Sequence, residues 1–316
     1  MSTTSVSLPR KPASARQKAS SSRQRVALAW IAVAAVATGG ASVSHGGDRV
    51  ATPVPRFGRV VVVVFENKAR DRVLGNADAP TFAKLERTYA TLTNYRAVAH
   101  PSLPNYLALV SGSTQGITDD CTSCVVVSRS LADTVEGAGR SWKTYAEGLP
   151  QAGFTGPFAG RYAKKHNPFV YFRNILSAAA RLSRIVPFSA FRRDLAAGTL
   201  PDYSLVVPNL CNDMHDCSVA TGDRWLGRFL APLLRSKQLR GGAVFVVFDE
   251  SDDSSVGGGG IVPAFVAGPL VRAGARSAIA LDHYSLLRTI EDGWGLPYLG
   301  ASVTARPITG IWKTAP

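Results

Sequence analysis

The stretch Val60-Val61-Val62-Val63-Val64-Phe65-Glu66-Asn67 decides the fold. Five valines and a phenylalanine offer water no polar face, so both sides of the segment must be covered, and its β-branched content selects a strand over a helix. A strand buried on both faces belongs to a largely parallel sheet sandwiched by helices. Comparable runs recur at Tyr203–Val207, Ala243–Phe248 and Ile261–Ala267. Between the runs, Ala79–Tyr89, Pro104–Val110, Trp225–Ser236 and Tyr284–Trp294 read as helices, the last opening near Asp282 or His283. The alternation predicts an α/β domain. Residues 150–200, with Phe154, Phe158, Tyr162, Phe169, Tyr171 and Phe172, are less regular and predict a cap or insertion over a site, while Gly257–Gly260 predicts a flexible loop.

With 316 residues, 46% hydrophobic and 18% charged, the chain can bury a large core, which excludes disorder for the bulk of it. Its net charge is +14, and six of those charges fall in residues 1–47, where no acid stands, leaving +8 for the remainder. Such a balance favours anionic partners. No basic run follows residue 25 and no nucleic-acid motif is present, so nucleic acid is not singled out. A basic, Ser-rich start leads into the apolar run Val26–Thr38 and then small residues through Gly47, the pattern of a signal peptide or signal anchor. That apolar run is short of the roughly 20 residues a spanning helix needs, which favours cleavage, after Ala37 or near Ala41. The reading is therefore a secreted or cell-envelope protein with one domain over 48–316, in contact with membrane only through the N-terminal segment if that segment is retained.

Four cysteines fit an oxidising destination. Cys121 with Cys124 and Cys211 with Cys217 is the favoured pairing, two short loops that rigidify more than they stabilise; a structural metal held by the four is the alternative.

Polar clusters follow the apolar runs. Val60–Phe65 ends in Glu66-Asn67, Tyr203–Val207 leads to Asn209, Asn212, Asp213 and His215, and Ala243–Phe248 ends in Asp249-Glu250. In open parallel sheets ligands lie beyond the carboxyl ends of the strands, so these clusters converge on one edge. Carboxylates with an amide oxygen suit a hard or borderline divalent ion, and neighbouring imidazoles widen the choice toward zinc, manganese or iron. One strand ending in Asp or Glu is ordinarily a solvated turn or an N-cap, but three together favour a metal site. His100, His166, His215 and His283 all lie in motif-like blocks; of these, His166 is the one best read as a hydrogen-bonded structural histidine. Ser102, in His100-Pro101-Ser102-Leu103-Pro104-Asn105-Tyr106, falls at the start of a helix whose free N–H groups and dipole favour a phosphate. A serine there is usually only a cap; the flanking histidine and the metal cluster make it the candidate nucleophile.

These blocks, together with Leu109-Val110-Ser111-Gly112, Ser141-Trp142-Lys143-Thr144-Tyr145, His166-Asn167-Pro168-Phe169, Asn212-Asp213-Met214-His215-Asp216 and His283 to Asp292, resemble in order the bacterial phosphoesterase family of acid phosphatases and phosphatidylcholine-type phospholipases C. That family lies within the alkaline phosphatase-like superfamily, and the resemblance runs from about Val60 to Gly300. It implies an alkaline phosphatase-like three-layer α/β sandwich with a mostly parallel central sheet. It further implies one divalent metal of open identity on Glu66, Asn67, Ser102, Asp249 and Glu250, with Ser102 as nucleophile. His215 and His283 would face the phosphate or leaving oxygens, and Asn105, His166 and His100 would contact phosphate or support the ligands. Asp213-Met214-His215 is shorter than the usual Asp-x-x-x-His spacing, so a second ion on Asp213, His215 and His283 is only an alternative. The reading is a phosphate monoesterase of the acid phosphatase kind working through a phosphoseryl intermediate. Phospholipase C or another phosphodiesterase is the runner-up, and a non-catalytic binder of anionic envelope ligands is the rival from another class.

Overall fold

The computed structural model describes residues 53–254 and 257–314, and the N-terminal targeting segment read at residues 1–47 lies outside them. The valine run forms the strand Val60–Phe65 (β1), every residue buried. With it in one eight-stranded sheet are Ala90–Leu92 (β2), Trp142–Ala146 (β3), Ile185–Pro187 (β4), Tyr203–Val207 (β5), Ala243–Phe248 (β6), Ala264–Ala267 (β7) and Arg276–Ser277 (β8). Their spatial order is β8-β2-β7-β6-β1-β5-β3-β4. All but β7 run the same way, β7 pairing antiparallel with both β6 and β2. The sheet is thus mostly parallel, with β1 central and the fully buried β6 beside it.

Helices cover both faces. Residues three apart on a strand point to opposite sides, and β6 shows it: Phe248 stacks on Phe65 and packs tilted against Phe82, whereas Phe245 meets Phe57 and Trp312. The Phe65 side carries the helices Pro80–Thr88 (α1) and Val219–Arg235 (α3), through Phe82 and Trp225. The buried Asp223 of α3 accepts from the N–H groups of Thr81 and Phe82 and so caps α1. The other layer is built from Ser102–Ser111 (α2) and His283–Trp294 (α4), which pack together. Asp282 caps α4 by accepting from Ser285 N–H at 2.8 Å, and this fixes His283 as its first residue.

Residues 150–200 are woven into the domain. They supply the edge strand β4, and Phe169, Tyr171 and Phe172 are fully buried. The glycine run contains a tight turn: Gly259 has φ of +75°, and a Cβ there would lie 2.6 Å from the Ala97 Cβ. The loop following Ala97, which leads to Ser102, therefore rests on bare glycine backbone.

One corner ties α2 to α4. Gly112 ends α2 at φ +68°, where a Cβ would fall 1.9 Å from Leu299 O, and its carbonyl accepts from Ala301 N–H. The buried Glu291 of α4 holds the same turn by accepting from Leu299 N–H and Ser302 Oγ. Gly112→Ala is expected to cost at least about 2 kcal/mol, read from denaturant unfolding, because strained φ and backbone overlap add. Burial pushes Glu291 up to about 7 against its hydrogen bonds. Its folded pKa lies above its unfolded one, so its contribution is full below pH 4.5 and is lost as pH rises through 7. Glu291→Gln should flatten the fall in unfolding free energy across that window.

Candidate active site

The site is assembled where β1, β6 and the loop after β5 end together. Backbone pairing continues past the strands: Asp249 N–H donates to Phe65 O at 2.9 Å, Glu66 N–H to Asp213 O at 2.9 Å, and Lys68 N–H to Glu250 O at 3.1 Å. Asn67 turns the chain at φ +51°, a conformation asparagine tolerates better than most residues. Met214 does the same at φ +78°, placing Asp213 inward and fully buried while His215 stands at the rim.

Ser102 opens α2, yet its hydroxyl caps nothing. It is 1% exposed and lies between two carboxylates, 3.1 Å from Glu66 Oε2 and 3.3 Å from Glu250 Oε1. Four residues along the same helix face, the Tyr106 hydroxyl donates to Glu66 Oε1. His166 spans the centre, with Nε2 3.2 Å from Glu66 Oε2 and Nδ1 3.4 Å from Asp213 Oδ2, its ring stacked on Tyr106. The Asp249 Oδ1 accepts from the N–H groups of Asn67 and Glu250, and His100 Nδ1 bonds Glu250 Oε2.

Four buried carboxyl groups so close together cannot share the same ionisation. Burial, with the Glu66 charge close by, pushes Asp213 up to about 6; burial with Glu66 and Glu250 pushes Asp249 well above the usual carboxylate range. Burial would raise Glu66 as well, but His166 and the hydrogen bonds around it hold it at about 2. Burial opposes charge on His166, and Glu66 with Asp213 outweighs it and lifts the imidazole to about 9.

The donor set fits a cation. Glu66, His166 and Asp213 bring ligand atoms within 4.8 Å of one another. Asp213 Oδ2 and Asp249 Oδ2 are buried without a hydrogen-bond donor, and His166 Nε2, though near Glu66, is misaligned for a hydrogen bond. Leaving such an atom unmet costs about 1–3 kcal/mol, so several side by side are what a metal-binding edge would show. Oxygen atoms with one imidazole suit a hard or borderline divalent ion.

Other predicted residues are placed differently. Both ring nitrogens of His283 are engaged within the protein, Nε2 2.7 Å from Asp249 O and Nδ1 3.0 Å from the Tyr95 hydroxyl, so it buttresses the Asp249 backbone instead of facing the mouth. Burial lowers it to about 4. The Asn105 amide is spent on the loop before Ser102: Oδ1 accepts from Val98 and Ala99 N–H, and Nδ2 donates to Ala99 O and Pro101 O. The helix N–H expected to meet a phosphate already meets a carboxylate, since Leu103 N–H donates to Asp120 Oδ1 at 3.0 Å. Lys165 bonds the other Asp120 oxygen at 2.8 Å and approaches His215 Nε2 at 3.4 Å. The cysteines form Cys121–Cys124 and Cys211–Cys217, closing the loops beside Asp120 and around His215. An open cavity of about 390 Å³ leads in, lined by Asn67, Lys68, His100, His215 and Glu250 among others. Tyr106, Tyr95, Asp120 and Lys165 escaped sequence reading; only Tyr106 had a usable signal, its four-residue spacing from Ser102.

The Phosphoesterase family matches residues 76–297, a span that holds Ser102, Asp213, Asp249 and Glu250. The chain belongs to the phosphoesterase family. It is 38% identical over 265 residues to a phosphatidylinositol-3-phosphatase of Mycobacterium tuberculosis, covering 83% of this chain and 85% of that one. A probable acid phosphatase of Kluyveromyces lactis is 33% identical, over 77% of this chain and 60% of its own length. A phosphate-repressible acid phosphatase of Penicillium chrysogenum is 34% identical, with coverages of 69% and 55%. The chain thus spans a little over half the length of these fungal relatives. Its fold is that of an alkaline phosphatase-superfamily protein from Vibrio parahaemolyticus, at a TM-score of 0.57 and 14% identity, over 82% of this chain and 72% of the other. This phosphoesterase is a phosphoric ester hydrolase.

Asn105→Ala should leave the fold intact while lowering kcat at least about tenfold with little change in KM, because the loop delivering His100 and Ser102 loses its clamp. Steady-state kinetics beside thermal unfolding would check it.

Proposed function

We propose that this phosphoesterase is an exported, metal-dependent phosphatase that cleaves phosphate monoesters through a phosphoseryl intermediate. The observation that carries the reading is the Ser102 hydroxyl, buried, free of capping duty and held between Glu66 and Glu250. Glu66, Asp213, Asp249, Glu250 and His166 would hold the divalent ion, with Asn67 lining the cavity beside them. Bound there, the ion supplies Lewis-acid charge that favours the serine alkoxide and the developing phosphoryl charge.

The remaining steps belong to this chain. Ser102 Oγ loses its proton toward the carboxylates beside it and attacks phosphorus, forming the Oγ–P bond as the bond to the leaving alcohol breaks. His215, at the mouth and tethered by Asp216 Oδ1 at 2.7 Å, protonates the departing alkoxide. Water then displaces Ser102 from phosphorus, releasing phosphate and restoring the hydroxyl. Lys165 contributes positive charge at the entry, and His283 with Tyr95 holds the Asp249 backbone in place.

Monoester cleavage is favoured over diester cleavage by relatives whose names are those of phosphatases. The relative covered to 85% of its length, a phosphatidylinositol-3-phosphatase, makes a phosphorylated lipid headgroup the substrate class to test beside soluble monoesters. The two disulfides support export. A pure binder has no use for a buried serine between carboxylates, which counts against the non-catalytic rival.

Hydrolysis of p-nitrophenyl phosphate should be abolished by chelator and restored by one divalent ion. Ser102→Ala should lower kcat by about 10³-fold or more while still binding metal. Asp249→Asn should lose the ion, read by elemental analysis of dialysed protein. Undiminished turnover in Ser102→Ala, or a metal-free wild type that works at full rate, would sink the mechanism; preference for bis-p-nitrophenyl phosphate would move it to the diesterases.

A further inference from the structure

We propose that exposed apolar and basic side chains beside the active-site mouth seat the enzyme on an anionic lipid bilayer. The inference rests on the phosphatase reading above and adds the form in which substrate is met: a headgroup presented at a membrane surface.

Six large hydrophobic side chains are exposed among the described residues, and single ones are normal. Three of them, Val125 at 48%, Val127 at 73% and Phe158 at 58%, stand on the two segments that also carry Asp120 and Lys165. Val126 between the two valines is buried, its N–H bonded to Tyr171 O and its carbonyl to Arg173 N–H, so its neighbours alternate outward. Phe158 pairs with Ala163 in a short hairpin. The next residue, Lys164, reaches across to Thr122 O at 2.6 Å, inside the Cys121–Cys124 loop. Arg161 in the same hairpin accepts at its carbonyl from Leu210 N–H, which joins the wall to the disulfide loop holding His215. One braced wall therefore runs from the exposed hydrophobics to the residues at the mouth.

The charge on this wall suits an anionic bilayer better than a protein face. Arg129 and Arg161 are exposed on the same segments, and the exposed Arg173 is bonded to them through its N–H to Val126 O. Of the acids nearby, Asp120 is paired with Lys165, Asp216 is bonded to His215, and Asp119 accepts from Cys121 N–H. Aliphatic and aromatic side chains that enter the headgroup layer, flanked by arginines that meet its phosphates, are the components of an interfacial anchor. The sequence alone placed membrane contact only in the N-terminal segment; this wall lies within the folded domain.

The test compares full-length wild type with the full-length triple variant Val125→Ser, Val127→Ser, Phe158→Ser and the pair Arg129→Glu, Arg173→Glu. All carry the same N-terminal segment, so its contribution cancels. Co-sedimentation is measured with phosphatidylcholine vesicles lacking or containing phosphatidylserine. The triple variant should lose at least about tenfold in vesicle affinity, and the arginine pair should lose the preference for phosphatidylserine. Turnover of p-nitrophenyl phosphate in the same samples should stay within about twofold, and it reports on the phosphatase reading separately. If the triple variant does not fold, Val127→Ser alone should shift affinity in the same direction. Unchanged vesicle affinity in these variants overturns the proposal. So does a wild-type dimer, seen by sedimentation velocity, that the triple variant dissociates while vesicle binding persists, because the wall would then be a self-association face.

Discussion

Four carboxyl groups, Glu66, Asp213, Asp249 and Glu250, sit buried at one edge of a sheet whose two central strands carry no polar side chain. Taking like charges out of water and packing them together is among the most costly acts a protein performs, and a low-dielectric surround amplifies the repulsion. The rest of the structure answers that constraint. His166 is drawn between Glu66 and Asp213, the Tyr106 hydroxyl is aimed at Glu66, and backbone N–H groups of Asn67 and Glu250 converge on Asp249. Acceptors still lacking a donor remain, and those unmet oxygens are what the proposed cation would satisfy.

Holding such a cluster demands rigidity around it. Every residue of β1 is enclosed, and slipping it along its neighbours would carry Arg59 inward or displace Glu66 at its polar ends, so the ends and not the alternation of faces fix its register. Helices α2 and α4, which start at Ser102 and His283, are locked at their far corner through Gly112 and Glu291, where no larger or unpaired group fits. Two short disulfides and a hairpin brace the mouth. Each device lies outside the reacting centre, yet each limits how far a reacting atom can stray, and small displacements are costly to catalysis.

Much of this was legible in the residues. Continuous valine made β1 a covered strand, and the strand limits of β1, β5 and β6 follow from where apolar residues stop. The acids directly after β1 and β6, and the polar cluster that begins two residues after β5, marked the carboxyl edge, since a carboxylate is costly inside an apolar strand without partners. The one reversed strand, β7, was not legible: an apolar run reads the same in either direction, and only pairing decides its sense. Nor was the service of Asn105 and His283, because an amide or imidazole in a motif can meet a ligand as readily as a loop, and the choice depends on what surrounds it. His166 shows the converse. Its local context of lysines and proline suggested a structural role, but a neighbour 100 residues away in the chain, Glu66, makes it central.

Sequence by itself determined the covered strands and the sheet edge on which Glu66, Asp249 and Glu250 gather, because burial and periodicity are local properties of composition. Tertiary structure alone decided which imidazole enters the carboxylate cluster, which one props a backbone, that Asp120 occupies the helix start, and that three hydrophobics share a wall with the mouth. Those outcomes depend on distances between residues far apart in the chain, and no local pattern encodes a distance until the chain has closed on itself.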